Sequence, residues 1–161
     1  MAYPRFQRAQ AFRTYRRTSG NITLNSTTWA NVDTGADLTI EAQVGDVIEV
    51  GINCIAGNEA VDAWMDVGFL VSAAINSSVG SGEITTTTGD GILGWLIGNG
   101  VQDKPGPPAH KTLVAGDIDA NGRVTARLRY RTASATAKTI YAGTANPFLF
   151  YAKNLGPADP E

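Results

Sequence analysis

From Arg123 to Arg131 the chain changes character at every residue: Val124, Ala126, Leu128 and Tyr130 alternate with Arg123, Thr125, Arg127, Arg129 and Arg131. Only an extended strand sends consecutive side chains to opposite faces, so this stretch must lay one face on a core and turn a row of guanidinium groups away from it. A helix would scatter the arginines around its axis. The same period runs through Leu38, Ile40, Ala42 and Val44, then through Ile48, Val50, Ile52 and Cys54, with Gly45-Asp46 between, which reads as a hairpin. Further strands are expected over about 64–71, 139–143 and 147–153. Glu59, Asp62 and Asp66 fall at helical spacing, but Met65, Val67, Phe69 and Val71 alternate, and the β-branched residues favour the strand.

Turn signals separate these runs: Ser19-Gly20-Asn21, Gly116-Asp117, Asn121-Gly122 and Asn154-Leu155-Gly156-Pro157. Positions 76–100 are rich in Gly, Ser and Thr, and Lys104-Pro105-Gly106-Pro107-Pro108 cannot continue regular structure, so a long excursion of loops and short strands is expected there. About eight strands with little helix predict an all-β fold, an antiparallel β-sandwich of the jelly-roll kind. At 161 residues the chain suits one domain. It has neither a membrane-length apolar run nor the apolar start of a secretory signal, so it is expected to be soluble, unexported by that route and without a membrane partner. The one cysteine, Cys54, sits on an inward face and reads as an inert buried thiol, and the one histidine, His110, offers little to a metal site. No metal, cofactor or catalytic residue is expected.

The net charge of −2 hides a block pattern. Arg5, Arg8, Arg13, Arg16 and Arg17 stand in the first 17 positions with no acid; 18–103 holds eleven acids and no Lys or Arg; 104–153 holds eight bases against Asp117 and Asp119. Asp159 and Glu161 close the chain. This divides it into a basic arm over 1–18, a domain over 19–157 and an acidic tail over 158–161. Opposite fields steer and orient association, so such an arm suits an anionic surface, and the aromatic residues among its arginines (Tyr3, Phe6, Phe12 and Tyr15) are of the type that anchors interfaces. Nucleic acid is disfavoured as that surface by the long base-free block. The row Arg123, Arg127, Arg129 and Arg131 needs acids opposite it; Glu41 and Glu49 on the hairpin are the candidates, and these six residues form a candidate subunit interface.

Three segments imitate catalytic or binding motifs. Asp33-Thr34-Gly35 resembles the retroviral type of aspartic protease, in which two such carboxylates share a proton. However, Asn31 replaces an apolar strand residue, and Leu96-Ile97-Gly98-Asn99 runs into Gly100 and prolines where a helix is needed, so a plain turn explains it better. Asp117-Ile118-Asp119-Ala120-Asn121-Gly122 opens like a calcium loop, but Leu128 stands where the closing Glu belongs. Gly89-Asp90-Gly91-Ile92-Leu93-Gly94 spells a dinucleotide fingerprint without the preceding strand or following helix. Trp95 and Asn99, in the long excursion, are candidate ligand-loop residues for a glycan.

The succession Ser19-Gly20-Asn21, Thr27-Thr28-Trp29, Val32-Asp33-Thr34-Gly35-Ala36-Asp37-Leu38, Ala42-Gln43-Val44-Gly45-Asp46, Gly116-Asp117, Val124-Thr125-Ala126-Arg127-Leu128-Arg129-Tyr130-Arg131 and Asn154-Leu155-Gly156-Pro157 resembles the small jelly-roll virion proteins of tailed bacteriophages, over about 19–157. That resemblance implies a tumour-necrosis-factor-like sandwich and a non-enzymatic structural role. The expected protein is a capsid decoration (cement) protein, a homotrimer made in the host cytoplasm and carried on the capsid surface. Its arm residues Tyr3, Arg5, Phe6, Arg8, Phe12, Arg13, Tyr15, Arg16 and Arg17 would grip the major capsid protein. A tail or head-fibre module recognising a host glycan is the alternative, and a dimeric aspartic protease using Asp33 the remote one.

Overall fold

The computed structural model describes residues 11–33, 35–72, 74–79, 95–97 and 107–158, with the side chains of Trp95 and Leu96 excepted. Among the described residues thirteen strands run in chain order: β1 (Phe12–Arg17), β2 (Ile22–Leu24), β3 (Ala30–Asn31), β4 (Leu38–Glu41), β5 (Asp46–Asn53), β6 (Ile55–Ala56), β7 (Ala63–Val71), β8 (Ala74–Ser78), β9 (Trp95–Ile97), β10 (Ala109–Thr112), β11 (Arg123–Thr132), β12 (Lys138–Tyr141) and β13 (Phe148–Pro157). A single 3₁₀ turn at Ala115–Asp117 is the only helical element among the described residues. The fold is all-β, and every described strand pair is antiparallel.

One sheet has the order β1-β13-β5-β10; a second has β3-β11-β7-β8, with β4 also on β11 and β9 also on β7; β2-β12-β6 make a small third. Within the two larger sheets the pairings nest: β1 with β13, then β4 with β11, β5 with β10, and β7 with β8. The inward residues of all three sheets share one core, as in a β-sandwich: Ile48, Val50, Phe148 and Phe150 from the first, Val67, Phe69 and Leu128 from the second, Leu24 and Ile140 from the third. Each such side chain contributes ~1.5–3 kcal/mol on burial. β11 alternates outward and buried residues along its whole length, whereas β7, flanked by β11 on one edge and by β8 and β9 on the other, is buried on both faces from Ala63 to Leu70. Two-sided burial removes alternation, which is why its sequence was ambiguous.

The hairpin expected at 38–54 does not form. β4 joins β11 and β5 joins β13 and β10, so the chain crosses from one sheet to the other between them. The turn itself is present: Gln43 N–H donates to Asp46 Oδ2 at 2.9 Å and Asp46 N–H to the Gln43 carbonyl at 3.1 Å. Val44, expected to face inward, lies at its tip and is exposed. A second correction concerns the arm. Phe12–Arg17 is an edge strand of the body, so the boundary expected near residue 18 falls before Phe12, and residues 1–10 lie outside the described residues.

On the outer face of the first sheet Tyr151 lies across Gly51, its register partner, and donates from Oη to Glu49 Oε1 at 3.2 Å. A Cβ at position 51 would overlap the Tyr151 ring. Gly51→Ala is therefore expected to cost about 1–3 kcal/mol in urea unfolding, and Gly51→Ala with Tyr151→Ala to recover part of that loss.

Candidate functional site

The root of the basic arm is fixed to the body by polar contacts as well as by strand pairing. In β1 the register sets Tyr15 against Phe150 and Arg17 against Phe148, so both point to the core side, while Phe12, Thr14 and Arg16 share the outer face with Lys153, Tyr151 and Leu149. The Tyr15 ring meets Phe148 edge-on with centroids 6.3 Å apart. Its hydroxyl donates to Asp33 Oδ2 at 2.5 Å, and Arg17 Nη1 donates to the same oxygen at 2.9 Å. Asp33 Oδ1 accepts the Gly35 N–H at 3.0 Å, so one oxygen of this carboxylate binds its own loop while the other holds the arm's root. Arg17 also donates from Nε to the carbonyls of Ser19 and Gly20. Tyr15 and Arg17, counted as arm residues, are thus engaged with the body, whereas Phe12, Arg13 and Arg16 are exposed.

The Tyr15 hydroxyl, then the Gly35 N–H, then Arg17 outweigh partial burial and hold the Asp33 carboxyl below the usual carboxylate range. Burial, followed by the neighbouring Asp33, raises the Tyr15 phenol above its ordinary value.

The arginine row of β11 does not meet the acids expected. Glu49 lies on β5, in the other sheet, where it accepts from Tyr151 and pairs with His110 Nε2 at 3.1 Å. Glu41 is the register neighbour of Arg123, but Arg123 bonds Asp119 at 3.2 Å. Arg127 forms a two-pronged pair with Asp37 at 2.9 and 2.6 Å. Arg129 reaches the fully buried Asp66 at 2.5 Å and also Ser78. The remaining cationic faces stack on indoles: Arg129 and Arg131 lie 5.1 and 5.9 Å from the Trp29 centroid, and Arg131 lies 5.3 Å from that of Trp64. The row is matched within the chain, which removes the reason for assigning these arginines to a subunit interface. Neither the Trp29 stack nor the Asp66 partner has a local sequence signal, since both depend on pairing between distant strands.

Asp117, from the calcium-like segment, is buried and accepts the Val114 N–H at 3.0 Å and the Ser77 hydroxyl, with Lys111 Nζ at 3.7 Å. Asp119 caps the following turn through the N–H groups of Asn121 and Arg123. These are turn contacts within the chain, and among the described residues no group of three or more His, Cys, Asp or Glu is gathered as a metal site. Cys54 is buried. Lys138, counted among the bases, is fully buried and donates to the Glu59 carbonyl at 3.1 Å. Asn99, the Trp95 side chain, Tyr3, Arg5, Phe6 and Arg8 lie outside the described residues. No helix among the described residues is long and apolar enough to cross a membrane.

No protein-family model matches the chain, and no curated protein or solved structure matches it.

Two outcomes follow from these contacts. Arg129→Met removes the cation 2.5 Å from the fully buried Asp66 and is expected to cost about 3–5 kcal/mol in chemical denaturation, with Arg129→Met/Asp66→Leu less destabilised than Arg129→Met alone. Asp33 is stabilising above its unfolded pKa, and this contribution disappears as pH falls through its lower folded pKa. Asp33→Asn should therefore cost about 1 kcal/mol near neutrality, and the gap between variant and native protein should close on acidification from about pH 5 downward, as read by thermal unfolding.

Proposed function

We propose that this chain is a structural protein of a tailed-bacteriophage virion: a capsid decoration protein with a jelly-roll body, homotrimeric on the capsid surface, whose basic N-terminal segment binds the major capsid protein. The strand order supports the fold reading. Lettering β1, β4, β5, β7, β8, β10, β11 and β13 from A to H gives sheets A-H-C-F and B-G-D-E, the pairing obtained when one long hairpin is wrapped into two Greek keys. Such a body needs no catalytic centre. The carboxylate in the protease-like triplet, Asp33, has both oxygens engaged by Tyr15, Arg17 and Gly35.

The observation that carries the attachment reading is the continuity of the basic segment with an anchored strand. Residues 1–10 contain Arg5 and Arg8, with Tyr3 and Phe6 among them and no acid. They lead into Ala11, whose carbonyl accepts the Asn154 N–H at 2.8 Å, and then directly into β1. A cationic, aromatic segment on a fixed root loses less freedom on binding than one on a loose tether, and its charge steers it to an acidic surface.

The structure sets where the test should cut. Deleting 1–17 would remove β1 from the sheet, whereas deleting 1–10 leaves it. The shorter deletion is expected to keep the melting temperature within about 2–4 °C of the native value and to abolish co-sedimentation with shells lacking the protein. Undiminished co-sedimentation would contradict the reading.

A further inference from the structure

We propose that the body meets its partner with one particular pole, the end of the sandwich that carries Val44 and Val114, and that the matching surface is a protein face with a shallow apolar recess bordered by acids. This rests on the shell-binding reading above and adds the orientation of the body to it.

Val44 is 64% exposed and Val114 56%, the two highest values among the large hydrophobic residues described. Both lie at turns, where polar and small residues are the rule. A short ladder brings them together: Gly45 N–H donates to the Leu113 carbonyl at 2.9 Å and Leu113 N–H to the Asp46 carbonyl at 2.8 Å. These bonds extend the β5–β10 pairing past Val47 and Thr112, placing Val114 beside Gly45 and next to Val44. Gly45 has a φ of +88°, and among the described residues a Cβ added there would meet nothing within 4 Å. Single exposed apolar residues are ordinary on a protein surface; two set side by side form a small contact patch.

The basic segment leaves from this same pole. The Asn154 N–H holds the Ala11 carbonyl, the Asn154 amide donates to Asp46 Oδ2 at 2.8 Å, and that oxygen also accepts the Gln43 N–H. An unbroken set of hydrogen bonds thus ties the root of residues 1–10 to the turn whose tip is Val44. The charge of residues 1–10 selects an acidic partner, and the valines supply an apolar contact on the body. At the other pole lie the turns next to Arg17 and Phe148, built from Ser19, Gly20 and Asn21 and from Gly143, Thr144 and Asn146, and the exposed large hydrophobic residue beside them, Tyr141, is 38% exposed and carries a polar hydroxyl.

The test places a photo-crosslinking residue, p-benzoylphenylalanine, at position 44 or at position 144 and irradiates purified phage particles that carry the chain. Cross-linking from 44 to the major capsid protein, with none from 144, is the expected result. Cross-linking from 144 alone, or from 44 only to another copy of this chain, overturns the inference. In parallel, Val44→Asp/Val114→Asp, both surface changes, should keep the native circular dichroism spectrum and lower particle occupancy about tenfold or more. If that variant binds normally while deletion of 1–10 abolishes binding, the orientation is wrong and the shell-binding reading stands. Absence of the chain from particles removes the shell-binding reading itself.

Discussion

The pairing of β1 with β13 joins the start of the described chain to its end, and the placement of the arm's root depends on it. Six consecutive residues, from Phe12 to Arg17, lie in register against Phe148–Lys153. Because side chains alternate along a strand, this register decides which arginines serve the body and which face outward. Tyr15 and Arg17 turn to the core side and converge on Asp33, while Arg16 and Phe12 turn away. A shift of one residue would exchange the two sets, taking Tyr15 and Arg17 away from Asp33 and bringing Phe12 and Arg16 to the core side. Charge, register and the Asp33 turn therefore specify a single position for the arm's root.

The same economy governs the second sheet. Four arginines on one strand would repel each other, yet Asp37, Asp66 and Asp119 neutralise three of them, and two indoles cover Arg129 and Arg131. Most of these contacts are half-exposed and contribute modestly; the Arg129 pair with Asp66 differs because its carboxylate is fully buried and would be costly alone. With that face matched internally, its charge gives no reason of its own for a partner, and the proposed attachment rests on the segment before β1 and on the apolar tip of the body.

Strand identity was readable from the sequence wherever one face is buried and the other wet, as in β11 and β5. Partnership was not. Gly45-Asp46 makes the same tight turn whether the flanking strands pair or part to different sheets, so the local chemistry carried no information about the crossing. The arginine partners escaped for a related reason: Asp37 and Asp66 precede β11 by 90 and 63 residues in the contacts they make, and alternation specifies a face without naming its neighbours. The arm was legible as a charge block, but its second half also had the length and composition of an edge strand, and charge alone does not separate a free segment from an edge.

Hydrogen–deuterium exchange of the chain, free and attached to particles, tests the central claim most directly. Attachment through the basic segment and its pole requires added protection in residues 1–10 and around Val44 and Val114, with β11 and the turn at Gly143 unchanged. Protection appearing on the arginine face or at Gly143, with residues 1–10 unchanged, would contradict it.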